Sequence, residues 1–324
     1  MATHDNGPAV SIVMPIYNPG EFLFQSMDSV MNQTFAQIQI VCVNDGSTDG
    51  SLTLLREYAK RDKRVLVIDK PNGGYGHAMN VGMSAATGEY VMILEPDDFM
   101  EYNMVEALYS TAKELDCDVV KSNYWSYKGS TGTNEFTDVL FDKTCGIVTS
   151  ALEDPKVVLI RPCIWTAIYR RQLLVDNAIR FNETPGAAYQ DTAFAFKVLS
   201  SAKRISFLHD AYLHYRIDNE ASSVKSSGKI YNVCDEFAAM ESFICTRREL
   251  RAHLMPILQV LKFDTYMWNL NRIADQYKAE FRDRLSLELL KAEHDGFLKR
   301  ELFDDARWEG VQACIRDYRT PHEA

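Results

Sequence analysis

The first third of the chain alternates short apolar runs with helical stripes, an order that few architectures accept. Val10–Met14 (ending at Pro15), Ile38–Val43, Val65–Ile68 and Tyr90–Leu94 are runs of four to six residues dominated by Val, Ile, Leu and Met, and read as buried strands. Between them, Leu23, Met27, Val30 and Met31 recur at helical spacing, as do Leu52, Leu55, Tyr58 and Ala59, and then Ala78, Val81, Gly82 and Ala85. Ser47-Thr48-Asp49 supplies N-cap chemistry for the second of these helices. Strand and helix in strict alternation, with short connections, call for a mostly parallel central sheet flanked by helices. In such sheets ligands bind beyond the carboxyl ends of the strands, so the residues that follow each strand are the ones to inspect.

Further on, Asn103–Leu115 reads as a helix and Val119–Tyr124 as a strand, followed by a polar loop or hairpin over Lys128–Asn134. Pro162–Leu174 and Ala187–Leu199 read as a loop and helix pair. Past Tyr231 strand signals vanish, and Trp268, Leu285, Leu289 and Phe297 fall at helical spacing, which predicts a C-terminal helical appendix. The 324 residues, 46% hydrophobic and 25% charged, have the composition of a globular protein. No stretch approaches the roughly 20 apolar residues of a membrane span, and the opening residues lack a basic leader and apolar core, so no secretory signal is expected. The seven cysteines are scattered and never form C-x-x-C, which favours free thiols in a reducing cytoplasm over disulfides or zinc. A formal net charge of −10 argues against nucleic acid as a partner.

Glu95-Pro96-Asp97-Asp98 follows the fourth strand. Three carboxylates there repel one another unless a cation or hydrogen-bond donors sit among them. Hard oxygen ligands suit Mg²⁺ or Mn²⁺ bridging to a diphosphate, and a solvated acidic turn is the bland alternative. The position after a buried strand, beside two other polar strand ends, favours the metal. Asn44-Asp45-Gly46-Ser47 follows the second strand, where the Asp45 carboxylate can accept a hydrogen bond from a nucleobase N–H while Ser47-Thr48-Asp49 caps the next helix. Asn72-Gly73-Gly74-Tyr75-Gly76-His77 is a glycine-rich entry to a helix that lacks the spacing of a P-loop or dinucleotide fingerprint.

In order, SIVMPIYN, VNDGSTDGS, NGGYGHAMNVG, ATGEYVMILEPDD and YQDTAF resemble the motifs of glycosyltransferase family 2, over about Val10–Val224. WTAIYRRQLL (Trp165–Leu174) and the segment from Tyr215-Arg216 to Ser222-Ser223-Val224 resemble bacterial polysaccharide-building members. The resemblance implies an inverting enzyme with a GT-A fold and a helical appendix. It implies a disordered tail over residues 1–9, a catalytic domain over 10–230 and a helical region over 231–324. The catalytic domain would divide into a nucleotide-binding half (about 10–125) and an acceptor half (about 126–230). Carried over residue by residue, Pro15, Tyr17 and Asp45 frame the nucleobase and ribose, and Gly73, Gly74 and Asn80 lie near the nucleotide. Glu95 and Asp97 take the acidic positions of D-x-D, with Asp97 the direct ligand of a divalent metal (Mn²⁺ or Mg²⁺) and Glu95 contacting metal or ribose. Asp191 matches the catalytic base, although from the residues alone an Asp before a helical run is more simply a cap. His77, His214 and Arg216 are candidate diphosphate or metal contacts, as are Arg170 and Arg171 for the diphosphate. His209 and His214, among aromatic residues, also suit plain packing.

Three departures stand out: Asn44 where relatives carry Asp, Glu95 for the first Asp of D-x-D, and Gln190 for the acidic residue before the base. Losing that neighbouring charge makes Asp191 easier to ionise. The resemblance implies a nucleotide-sugar donor, a UDP-sugar above others, and a glycan or lipid-linked glycan acceptor at the inner face of the cell membrane. For the helical region, covering the acceptor site, pairing into a homo-oligomer and docking peripherally on a membrane all stay open. Two rival readings are a sugar-phosphate nucleotidyltransferase, which would carry a basic glycine-rich loop where Pro15–Pro19 stands, and a non-catalytic sugar-nucleotide-binding scaffold, which would have lost its carboxylates.

Overall fold

The computed structural model describes residues 7–140, 145–219 and 230–322. Met1–Asn6 of the expected tail and the Ser222-Ser223-Val224 motif lie outside the described residues. The chain divides into two compact units: one takes residues 1–150 and 160–221, the other 151–159 and 222–324.

The four expected strands form, as β1 (Val10–Ile16), β2 (Ile38–Asp45), β3 (Val65–Lys70) and β4 (Tyr90–Ile93). The helical stripes between them are α1 (Phe22–Met31), α2 (Ser51–Arg61) and α3 (Tyr75–Ala85). All four strands run parallel, in the order β3-β2-β1-β4. Their register aligns the carboxyl ends: Ile16 lies opposite Asn44, Asp45 opposite Lys70, and Val13 opposite Ile93. Strands β1 and β4 are buried along their whole length, which is why their sequences are continuously apolar rather than alternating.

The other half of the sheet is mixed. After β5 (Phe99–Met100) and α4 (Met104–Glu114) come β6 (Val119–Lys128) and the hairpin partner β7 (Thr133–Thr137). Residues 162–174, expected as a loop, contain strand β8 (Ala167–Arg170) and open α5 (Arg171–Asp176). After α6 (Gln190–Ser201) runs the 12-residue β9 (Ile205–Arg216), which the sequence reading did not assign. β8 joins β4 and β6 in antiparallel pairs, and β9 pairs parallel with β6 and antiparallel with β5. β9 escapes a period-2 reading because the β6·β9 ladder shifts register around Asn123, breaking the alternation of buried and exposed positions.

The second unit is helical, as expected: α7 (Asn232–Cys245), α8 (Arg248–Arg272), α9 (Asp275–His294) and α10 (Asp305–His322). Phe237, Leu258, Tyr266, Phe281, Leu285 and Leu289 form its core. Lys262 of α8, 3% exposed, is held between Glu241 and Glu288. No helix among the described residues is long and apolar enough to cross a membrane.

Candidate active site

Asp45 ends β2 and is 3% exposed. Its Oδ1 accepts the Gly73 amide at 2.8 Å and its Oδ2 the Gly74 amide at 3.0 Å, while the Lys70 ammonium at the end of β3 pairs with Oδ1. The glycine-loop amides therefore face a carboxylate of the protein. Gly74, at φ +86°, makes the turn, and a Cβ on Gly76 would sit 2.0 Å from the Asn182 carbonyl oxygen. The glycines thus let residues 182–186 lie directly on the loop. Asn80 holds the same segment: its Nδ2 donates to the Phe181 carbonyl and to Glu183, each at 2.9 Å, and its Oδ1 accepts the Phe181 amide. Pro15 is buried in β1, and Tyr17 just beyond it is 55% exposed.

The carboxylates after β4 are each answered by a different element. The Tyr75 hydroxyl, at the start of α3, donates to Glu95 Oε1 at 2.6 Å. Asn219, just past β9, donates from Nδ2 to Asp97 Oδ2 at 2.8 Å. Asp98 is 1% exposed, accepts the Arg216 amide at Oδ1 and, among the described residues, leaves Oδ2 buried without a partner. Burial first, and the Asp97 and Asp191 charges after it, push Glu95 up to about 8 against the hydrogen bond from Tyr75. Burial, reinforced by Asp97, likewise holds Asp98 well above the usual carboxylate range. Arg216 donates from Nε to the Asp97 carbonyl at 3.0 Å and from Nη2 to Gln25, and packs over the Phe22 ring at 4.4 Å. Tyr75 and Asn219 were not singled out from sequence. Tyr75 lay inside a motif read for its glycines, and Asn219 follows an unassigned strand.

This set does not form a closed metal cage: no three His, Cys, Asp or Glu side chains converge as one among the described residues. It fits an ion that brings phosphate and water ligands, which Mg²⁺ and Mn²⁺ do with one or two carboxylates from the protein. The unpartnered Asp98 Oδ2 and the mutual repulsion within the cluster are what such a cation would relieve.

Asp191 lies in the first turn of α6 and is no cap: Tyr189 takes the cap position, and no side-chain cap bond forms. Its Oδ1 accepts the Thr192 amide at 2.8 Å. Burial raises it to about 6, against the hydrogen bonds from Thr192 and the more distant Arg161 charge. Tyr75 links the acidic cluster to the approach to Asp191: its hydroxyl holds Glu95, and its amide donates at 3.3 Å to the Gly186 carbonyl that Gln190, the residue before Asp191, also holds. Gln190, 2% exposed, ties down the approach to Asp191 by donating to Thr184 Oγ1 at 2.8 Å and to the Gly186 carbonyl at 3.1 Å.

Three other candidates, His214, Arg170 and Arg171, are engaged with different partners. His214 is stacked flat on Phe99 at 4.3 Å and bonded at 2.8 Å to both Asn134 and Glu101, the packing role its aromatic neighbours suggested. Arg170 pairs with Asp116 and Asp118, and Arg171 donates to the Gly88 carbonyl. His77 Nδ1 is buried against Gly73 with no hydrogen-bond partner among the described residues.

Residues 11–174 match the family model for glycosyl transferase family 2. The chain is 41% identical over 128 residues to glycosyltransferase GlyG of Streptococcus pneumoniae serotype 4, covering 39% of this chain and 42% of GlyG. It is 32% identical over 219 residues to the uncharacterized glycosyltransferase EpsJ of Bacillus subtilis, covering 64% of this chain and 61% of EpsJ. The chain thus spans between two and three fifths of these relatives' length. Its fold is similar to that of S. aureus TarS 1-349 in complex with UDP, with a TM-score of 0.73 at 23% identity over 97% of this chain and 90% of that one.

Proposed function

The chain belongs to glycosyltransferase family 2, and from that premise we propose that it moves a sugar from a UDP-sugar to a hydroxyl of a glycan or lipid-linked glycan acceptor, inverting the anomeric centre, in cell-surface polysaccharide synthesis on the cytoplasmic side of a membrane. The observation that carries this reading is the acidic cluster after β4, held by Tyr75, Asn219 and the Arg216 amide, and tied through Tyr75 and Gly186 to the segment that leads into Asp191.

In this mechanism Asp191 takes the proton from the acceptor hydroxyl as that oxygen attacks the anomeric carbon. A carboxylate suffices because the hydroxyl becomes acidic only as the new bond forms. Burial brings its pKa to about 6, close to the working range of a general base. Asp97 and Glu95 would hold a divalent ion, which when bound would neutralise charge on the leaving diphosphate. Tyr75 keeps Glu95 aimed, and Asn219 does the same for Asp97. The end of β2, with Tyr17 exposed beside it, receives the nucleoside, and Lys70 and the glycine amides fix Asp45 there.

The test is a nucleotide-sugar screen by thermal shift, with and without Mn²⁺, followed by transfer assays on the donors that respond. A bound donor stabilises the folded state. Asp191→Asn should keep the shift and lose transfer. A product that retains the donor's anomeric configuration would reject the mechanism, and silence toward every nucleotide sugar would favour a scaffold.

A further inference from the structure

Arg216 closes β9 and is 7% exposed, so little of its guanidinium is open to a ligand. Its donors are turned onto the protein. Nε donates to the Asp97 carbonyl at 3.0 Å, Nη2 to Gln25 Oε1 at 2.6 Å, and the main-chain amide to Asp98 Oδ1 at 2.9 Å. The guanidinium carbon lies 4.4 Å from the centre of the Phe22 ring and 5.0 Å from that of Tyr127. Nη1 lies against Gly129, where a Cβ would collide with it. Phe22 and Gln25 stand in the first turn of α1, and Tyr127 and Gly129 at the end of β6 and just beyond it. Two elements thus grip the side chain that holds the acidic turn.

The residues that follow extend this arrangement. Asp218 accepts the amides of Gly129 and Ser130 at 3.0 and 2.8 Å, which fixes the stretch 216–219 to the turn between β6 and β7. Asn219 donates to Asp97 Oδ2 at 2.8 Å. Asp97 is therefore held twice from one short stretch of chain, by its carbonyl and by its carboxylate, and Asp98 is held once. An arginine that reads a diphosphate presents two N–H groups outward as a fork. Here Nε and Nη2 face inward, to a carbonyl and a side-chain amide oxygen of the protein.

We propose that Arg216 is a positioning residue for a divalent ion at the acidic cluster: it sets the main chain of Asp97, and with it the direction of the Asp97 carboxylate, and does not contact the donor diphosphate. The proposal rests on the transferase reading only in taking the acidic cluster as a metal site. Losing a partner that orients a metal ligand typically costs about 10–100-fold in metal affinity. Two other roles fit the same location, and a lysine separates them from this one. A charge that only offsets the repulsion among Glu95, Asp97 and Asp98 survives Arg216→Lys, as does a simple charge contact with phosphate. The planar fork that reaches the Asp97 carbonyl and Gln25 together does not.

The experiment is calorimetric titration of the full chain with Mn²⁺, with and without saturating UDP, and with UDP in the presence of a chelator. Arg216→Met, which keeps an apolar stem beside Phe22 and Tyr127, should weaken Mn²⁺ binding about tenfold or more and leave UDP affinity in chelator unchanged. Arg216→Lys should behave like Arg216→Met. Should these variants fail to fold, Gly129→Ala takes their place: its methyl collides only with the flexible end of Arg216, displaces the guanidinium, and should weaken Mn²⁺ binding in a chain that still folds. Native Mn²⁺ affinity in Arg216→Met or Gly129→Ala, or full rescue by Arg216→Lys, would overturn the proposal. So would a loss of UDP affinity in chelator as large as the loss for Mn²⁺, which would return Arg216 to the diphosphate. A native chain that takes up no Mn²⁺, with or without UDP, would overturn it as well. Mn²⁺ binding that depends on Arg216, in a chain that transfers no sugar from any nucleotide donor, would leave the positioning role standing and reject the transferase reading.

Discussion

Asp191 sits where a capping residue would be expected, yet it lies inside the first turn of α6, half-buried and accepting the Thr192 amide. The two roles predict opposite effects of Asp191→Asn. Loss of a cap destabilises by about 1 kcal/mol. For a base whose carboxyl is shifted upward by its surroundings the sign reverses. Its folded-state pKa, about 6, is raised above the ordinary aspartate value of 3.8, so the native state holds the proton more tightly than the unfolded chain. Stability is fully present below the lower value, falls as pH rises between the two, and stays reduced above 6. Partial solvent contact discounts the effect to on the order of 1–2 kcal/mol. Asp191→Asn should therefore raise the melting temperature at pH 7.5 by a few degrees and leave it unchanged near pH 4, while turnover falls about 10²–10⁴-fold. A lower melting temperature at pH 7.5 would return the residue to a structural role. The rate of the native protein should rise with pH through about 6, measured at saturating donor.

At the scale of elements, the glycine loop and the 181–186 segment behave as one piece. Asn80 clamps Phe181 and Glu183, Gln190 ties Thr184 and Gly186, and Gly76 lets the Asn182 carbonyl approach. Gly76→Ala puts a methyl 2.0 Å from that oxygen, against backbone that cannot step aside cheaply. We expect a loss of about 1–3 kcal/mol in urea unfolding, with the nucleotide-sugar thermal shift weakened at the same time. Retained stability and retained response would show that the segment yields. These contacts also mark where reading from sequence ends. β1 to β4 and the polar residues at their ends were legible because buried parallel strands are uniformly apolar and stop abruptly. Asn80 was legible as a site residue, but its partners about a hundred positions away were not, since no local pattern encodes a contact between α3 and a distant loop. β8 and β9 went unread because β8 (Ala167–Arg170) runs into α5 at Arg171 with no break, and β9 is broken by a register shift. With β9 went the placement of Arg216 and Asn219 on the acidic cluster.

At the scale of the molecule, the two units are built on different balances. The α/β unit places its acidic cluster in a region partly stripped of water, and the helical unit buries a lysine between two glutamates. Lys262 is 3% exposed, paired with Glu241 and Glu288, and Glu288 also accepts from Arg284 and the Tyr266 hydroxyl. Despite burial, the Lys262 and Arg284 charges hold Glu288 below the usual glutamate range. Removing the lysine leaves two carboxylates around one buried vacancy, and breaking a buried pair on one side typically costs about 3–5 kcal/mol. Partial exposure of Glu241 should bring the figure for Lys262→Met toward the lower end. That variant should melt earlier at pH 7.5 and recover as the pH falls toward 4, because protonating Glu241, which loses its partner, and Glu288, which keeps Arg284, ends the repulsion between them. The recovery is the decisive readout. A defect independent of pH would mean that Lys262 matters for its packing along α8 rather than for its charge, and the fold of the helical unit would then rest on its aromatic core alone.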